Sequence, residues 1–182
     1  MSDKESRIKD QLQEYLLDEG LLRGKITDPK LDFGFQFIFP PGNDSLGRQI
    51  GRNMVIIKPK QKDLIVISLG TQISKPHIDA LNSLKENRKS QYFWELRKFF
   101  LAKDLFYRID IQNHRYEISD QIFLNKNGRV SKNKFFKAIR KVFDASAYSN
   151  IILGEYCFGK VKPDDFMKSK DFSSGSDFSL YS

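Results

Sequence analysis

Two histidines, His77 and His114, and a single cysteine, Cys157, are the reactive side chains of this chain of 182 residues. One thiol and two imidazoles are too few for a zinc site of Cys/His type, and a lone cysteine forms no internal disulfide. No metal and no cofactor are expected. No Gly-x-Ser-x-Gly, Walker-type or His-Glu-x-x-His spacing occurs. Asp32-Phe33-Gly34 spells a kinase triplet, but every other kinase element is missing. His77 lies just inside an expected helix start and reads as a capping or surface group. His114 falls in a turn. Asp164-Asp165 lies in a polar tail, where nothing holds a carboxylate pair in catalytic geometry. Cys157 follows Tyr156 at an apolar helix end and reads as a small buried residue. The expectation is a protein that is not an enzyme.

Aromatic residues offer a different chemistry. In "LDFGFQFIFPPGND", Phe33, Phe35, Phe37 and Phe39 alternate. Exposed rings at this spacing stack on bases in RNA-recognition strands. Such a strand wants a basic residue ahead of Gly and further aromatics at set positions. Here Leu31 stands in the basic position, Asp32 would repel phosphate, and Ile38 replaces the last aromatic. Only a helix precedes this strand, whereas the RNA module places a strand, a helix and a strand there. The rings are therefore expected in the core, as alternating apolar residues mark a half-buried strand.

The elements that position these groups follow from periodicity. Ile8, Leu12 and Leu16 form one helical stripe that Gly20 or Gly24 can end. Strands are expected at Leu31–Phe39, Asn53–Lys58 and Asp63–Leu69. A helical region follows, with Ser74 as N-cap, Pro76 in the first turn, and an irregularity near Asn87–Ser90. Leu105 to Ile111 alternates again and turns at Asn113-His114. Ser131 caps a last helix with Phe135, Ile139, Val142 and Phe143 inward. The fold class is α+β: an antiparallel sheet in α-βββ-α-ββ-α order with helices packed mainly on one face. Residues 1–159 read as one domain, and 160–182 as a disordered Ser/Asp/Lys-rich tail with Asp-Phe pairs at 165, 171 and 177.

Charge and surplus hydrophobicity suggest partners. The net charge is +8, running −3 over residues 1–20, +5 over 21–62, +2 over 63–104, +6 over 105–141 and −2 over 142–182. No run approaches the ~20 apolar residues of a membrane span, and the charged N-terminus is not a secretory signal. A cytoplasmic protein is expected. The second and third strands are apolar on both faces, and a sheet covered on one side needs only one. Met54, Ile56, Ile65 and Ile67 are the expected docking set for a protein or peptide partner. The alternative partner is nucleic acid, held by Lys58, Lys60 and Lys62 of the hairpin and by Lys134, Lys137, Arg140 and Lys141 of the last helix.

The segments "IKDQLQEYLLDEG", "FGFQFIF", "VIIKPKQKDLIVISLGTQIS", "HIDALNSL" and "FWELRKFFL" together resemble an archaeal family of uncharacterised proteins. That family is similar in fold to the type III secretion chaperones and their YbjN-like relatives. The resemblance covers about residues 5–158 and implies a homodimerising, peptide-binding scaffold. It carries over no functional residue.

Overall fold

A computed structural model describes residues 3–43, 45–47, 50–125 and 127–159. The expected tail at 160–182, with Asp164-Asp165 and the Asp-Phe pairs, lies outside the described residues. The elements run α1 (Asp3–Asp18), β1 (Leu22–Ile26), β2 (Leu31–Phe39), β3 (Arg52–Pro59), β4 (Leu64–Gln72), α2 (Lys75–Ser83), α3 (Glu86–Ala102), β5 (Phe106–Asp110), β6 (Arg115–Phe123) and α4 (Lys132–Phe158). The strands form one antiparallel sheet in the order β1-β2-β3-β4-β6-β5. The α+β class and the order of elements are as the sequence indicates. Two refinements appear. An edge strand, β1, precedes the phenylalanine strand, and the middle helical region is two helices that part at Leu84-Lys85.

By compactness, the described chain divides into two units. One comprises residues up to Leu69 together with Ser119–Phe143; the other comprises Gly70–Ile118 together with residues from Asp144 on.

In the first unit, Ile8, Leu12 and Leu16 of α1 are buried as the stripe requires. The helix ends at Gly20, whose φ of 65° is left-handed. Gly20 N–H donates to Leu17 O at 2.9 Å, and Leu21 N–H to Leu16 O at 2.8 Å. This is the paired-bond stop that glycine permits, and Leu21 is itself buried beyond it. β2 and β3 pair Phe35 with Ile56 and Phe37 with Met54. β3 and β4 pair Ile56 with Ile67. Paired residues project to the same face, so the rings and these aliphatics form one buried layer. Phe35 and Phe37 are 0% exposed. Phe39 meets Phe143 edge-on at 5.4 Å, and Tyr15 meets Phe135 at 5.8 Å. On the β1–β2 side, a Cβ at Gly34 would stand 2.9 Å from Ile26 Cβ, so only glycine allows this approach. α4 starts as expected, with Ser131 Oγ accepting from Lys134 N–H at 3.2 Å.

In the second unit, Phe100 touches both Tyr107 and Tyr116 at ring-centre distances of 5.6 and 5.9 Å. Tyr92 packs on Tyr156 at 5.6 Å, and Phe99 on Tyr148 at 4.5 Å. These contacts pair early α3 with late α4 and the reverse, so the two helices run antiparallel. The core here also holds polar groups. Tyr116 Oη and Ser149 Oγ share a hydrogen bond of 2.6 Å, and Ser149 Oγ donates to Ser146 O at 2.7 Å. The Tyr92 hydroxyl is buried with no hydrogen-bond partner among the described residues. Burial, with Tyr116 and Cys157 nearby, raises its pKa well above the usual tyrosine value. An unpaired buried hydroxyl is destabilising, so Tyr92→Phe is expected to stabilise the fold by about 1 kcal/mol. Urea melts of the variant check this; a loss of stability would show that the hydroxyl is satisfied.

Candidate protein-interaction surface

The structure corrects the expected docking set. Met54, Ile56, Ile65 and Ile67 are 1% exposed or less. They share the face that carries Phe35 and Phe37, as the strand register requires, and so they are core. The opposite face of β3 and β4 carries Val55, Leu64 and Val66, all half-buried.

The basic set is divided by its surroundings. Lys58 is buried and forms an ion pair with Asp32; the two side chains are 5% and 10% exposed. A lysine so placed presents no ammonium to phosphate, which corrects its place in the nucleic-acid set. The cause is an irregularity in the β2–β3 register between Leu31 and Phe33, which sets Asp32 beside Lys58. Lys60 and Lys62 are exposed in the hairpin turn. Lys141 is held by Asp120 at 3.2 Å. Lys134, Lys137 and Arg140 are exposed. Lys132, which begins α4, bonds Glu19 at 2.8 Å and Asp18 at 3.3 Å, and these bonds raise its pKa.

The isolated reactive groups have local roles. His77 is buried, its Nδ1 lying 2.7 Å from Ser74 Oγ. Ser74 therefore caps α2 without a side-chain bond to the helix backbone. Cys157 Sγ donates to His77 O at 3.6 Å, and burial pushes its thiol up to about 11. Such a thiol is a poor nucleophile at neutral pH. His114 is left-handed (φ 51°) in the β5–β6 turn, as a turn residue should be. Among the described residues, no group of three or more His, Cys, Asp or Glu is placed to hold a metal ion.

That turn has its own charge arrangement. Asp110 accepts from Asn113 Nδ2 at 2.8 Å, from Asn113 N–H at 3.1 Å and from Arg115 Nε at 3.0 Å. Chiefly because of the Asn113 bonds, its carboxyl is lowered to about 2. A depressed carboxylate pKa contributes stability that is fully present above its unfolded value of roughly 4 and is lost as pH falls through the folded value. The Asp110 carboxyl carbon is therefore expected to titrate near pH 2 by NMR, with the turn loosening below about pH 4. A midpoint at an ordinary aspartate value would show that the three bonds do not persist in solution.

Exposed apolar side chains gather in the second unit. Trp94 (59% exposed) and Leu101 (65%) lie on the outside of α3, seven residues apart and so on one helical face. Tyr148, Ile151 and Phe158 are exposed on α4, and Phe106 on β5. Arg97 stacks over Trp94, 5.4 Å from the ring centre. Arg88 lies 5.0 Å over Tyr156, whose hydroxyl burial and a Glu95 hydrogen bond push up to about 12. α3 and the second half of α4 thus carry large apolar groups on the outside as well as the inside, set on α3 among exposed Gln91, Glu95 and Lys98. Sequence reading missed this surface because Phe93, Leu96 and Phe100 already satisfy the inner face of α3. The signal was present in Trp94 and Leu101, which that stripe does not use.

Comparison with known proteins fits this architecture. No curated protein matches the chain. Among solved structures, an uncharacterised protein from Methanothermobacter thermautotrophicus superposes with a TM-score of 0.71 at 21% identity, covering 82% of this chain and 99% of that one. A chain of the ExsC–ExsE complex superposes with a TM-score of 0.52 at 14% identity, covering 84% and 97% respectively. At these identities the likeness is one of fold, and it bears out the resemblance to secretion-chaperone-like proteins. Residues 8–153 match the profile of an uncharacterised conserved protein family, DUF2299, and the chain belongs to that family.

Proposed function

We propose that this chain is a non-enzymatic, chaperone-like interaction module that holds a protein or peptide partner. The observation that carries the reading is the exposed apolar surface of α3 and α4, centred on Trp94 and Leu101. Surfaces of this kind mark interaction sites on soluble proteins. Trp, Tyr and Arg dominate binding energy at such sites, and Trp94, Arg97 and Tyr148 supply all three. The fold likeness to a chain of a two-protein complex supports the reading. A cytoplasmic location belongs to it, and no helix among the described residues is long and apolar enough to cross a membrane.

A protein captured from cell extract by the wild-type chain, and released when Leu101 is changed to Glu, is the expected result after nuclease treatment. Capture unaffected by Leu101→Glu would sink the reading. The exposed cations Lys134, Lys137 and Arg140 favour a second reading, nucleic-acid binding. It requires a gel shift at about 50 mM salt that weakens steeply as salt rises.

A further inference from the structure

Resting on the interaction-module reading, we infer that residues 160–182 of this same chain cover the outer face of α3, as a tethered ligand that an outside partner must displace. Trp94 and Leu101 mark that face, and Arg97 and Lys98 lie between them, one helical turn on from Trp94. The carboxylate within that stretch, Glu95, is hydrogen-bonded to Tyr156 of α4. The strip is therefore apolar at both ends and cationic in the middle. Residues 171–182 carry the complement. They read "DFSSGSDFSLYS": two Asp-Phe pairs joined by Ser-Ser-Gly-Ser, with two acids and no basic residue. A Ser/Gly-rich chain of six residues spans about 12–15 Å on average. Trp94 and Leu101 stand about 10 Å apart along the helix. Phe172 and Phe178 can thus meet the two apolar ends together, while Asp171 and Asp177 face Arg97 and Lys98.

The path of the chain and its charges favour this occupant. α4 stops at Gly159, whose φ of 81° is left-handed and whose N–H donates to Glu155 O at 3.1 Å. Such an ending turns the chain off the helix axis. Tyr92 packs on Tyr156, so α4 ends about 6 Å short of Trp94 along α3. Neighbouring helix axes lie about 8–10 Å apart. The thirteen residues from Gly159 to Phe172 bridge about 18 Å or more on average, enough for both displacements. Charge alternates in step. From Asp144 to Phe158, α4 carries two acids and no basic residue; residues 160–170, which leave it, carry four lysines against two aspartates. α3 carries four basic and two acidic residues; residues 171–182 carry two aspartates. A net −2 is thus met by +2, and then +2 by −2. A partner of a single charge sign would satisfy one helix and oppose the other. Tethering favours the tail further, because short linkers give effective concentrations in the millimolar range. A contact of only about 0.1 mM affinity is then closed about nine-tenths of the time.

Trp94 is the sole tryptophan of the chain, so it reports on this face without labelling. The experiment follows Trp94 emission, its quenching by acrylamide and the binding of a hydrophobic dye. It uses the full chain at about 0.1 μM and about 10 μM, both far below the effective concentration of a tethered segment. Phe172→Ser combined with Phe178→Ser touches none of the described residues, so the fold should survive, as checked by circular dichroism. Loss of two buried rings should weaken the contact by well over tenfold, taking the closed fraction from about nine-tenths to below about half. Trp94 emission should then move to longer wavelength, acrylamide should quench it more, and more dye should bind, equally at both concentrations. Asp171→Lys combined with Asp177→Lys should do the same. Trp94 emission and quenching that are identical in wild type and the Phe variant overturn the inference. A charge-reversed tail that shields Trp94 as well as wild type overturns it, as does a shielding seen only at the higher concentration, since the tail then acts on another molecule. If the inference fails but dye binds the wild type, and Leu101→Glu reduces the binding, the interaction-module reading survives with an outside occupant. If dye binds neither the wild type nor the Phe variant, both fail.

Discussion

Phe35→Ala and Phe37→Ala should each destabilise the fold by about 3–5 kcal/mol, the usual cost of deleting a fully buried aromatic ring. Both rings are 0% exposed, and both sit at the centre of the β2–β3 ladder opposite Ile56 and Met54. A truncation there removes apolar area and leaves a cavity between a strand pair and the helices of the same unit. Partial collapse is restricted, because the neighbours are strand residues fixed by the ladder. Against a total stability of roughly 5–15 kcal/mol, either change should approach the limit of folding. Denaturant melts at constant temperature measure the loss. Gln36 lies between the two rings on the opposite face and is exposed, so Gln36→Ala is the control and should change stability by less than about 0.5 kcal/mol. Variants of Phe35 and Phe37 that melt like wild type would remove these rings from the core and reopen base stacking as their purpose.

That the rings are core was legible from alternation alone, because the period-2 pattern of β2 is strong and its flanks break cleanly. α1 was legible for the same reason, with Gly20 marking its end. β1 was not. Its five residues, Leu22 to Ile26, set Arg23, Gly24 and Lys25 in a row between two apolar ends, and a glycine inside a short basic run looks like a turn. The strand exists because β2 offers it a ladder, which is a tertiary cause. The break between α2 and α3 at Leu84-Lys85 has no Gly or Pro to announce it. The docking set failed for a subtler reason. Composition shows that both faces of β3 and β4 are apolar, but only the register shows which face shares the phenylalanine layer. Met54, Ile56, Ile65 and Ile67 proved to be that layer. Exposed Trp94 and Leu101 lie instead on a helix, on the face away from its buried stripe.

Lys58 shows the same limit in its electrostatic form. From sequence it belongs to a basic hairpin with Lys60 and Lys62. In the fold it is a buried ammonium whose partner, Asp32, stands in a strand otherwise full of phenylalanine. A charged residue of each sign within two adjacent apolar strands was the available clue. Neither charge is stable there alone, since the attraction between them offsets the loss of water only while both are present. Lys58→Met should therefore strand the Asp32 carboxylate and destabilise the fold by about 3–5 kcal/mol, and Asp32→Leu should do the same to the ammonium. The double variant, Asp32→Leu with Lys58→Met, should recover all of that loss. It should range from neutral to about 4 kcal/mol more stable than wild type, because two aliphatic side chains need no solvation. The double-mutant cycle in urea separates the pair from its surroundings. Additive losses, with the double variant as unstable as the two singles summed, would show that Lys58 and Asp32 act through other neighbours. A strongly positive coupling would show a matched pair embedded in an apolar layer, one that keeps Lys58 from any partner outside the chain.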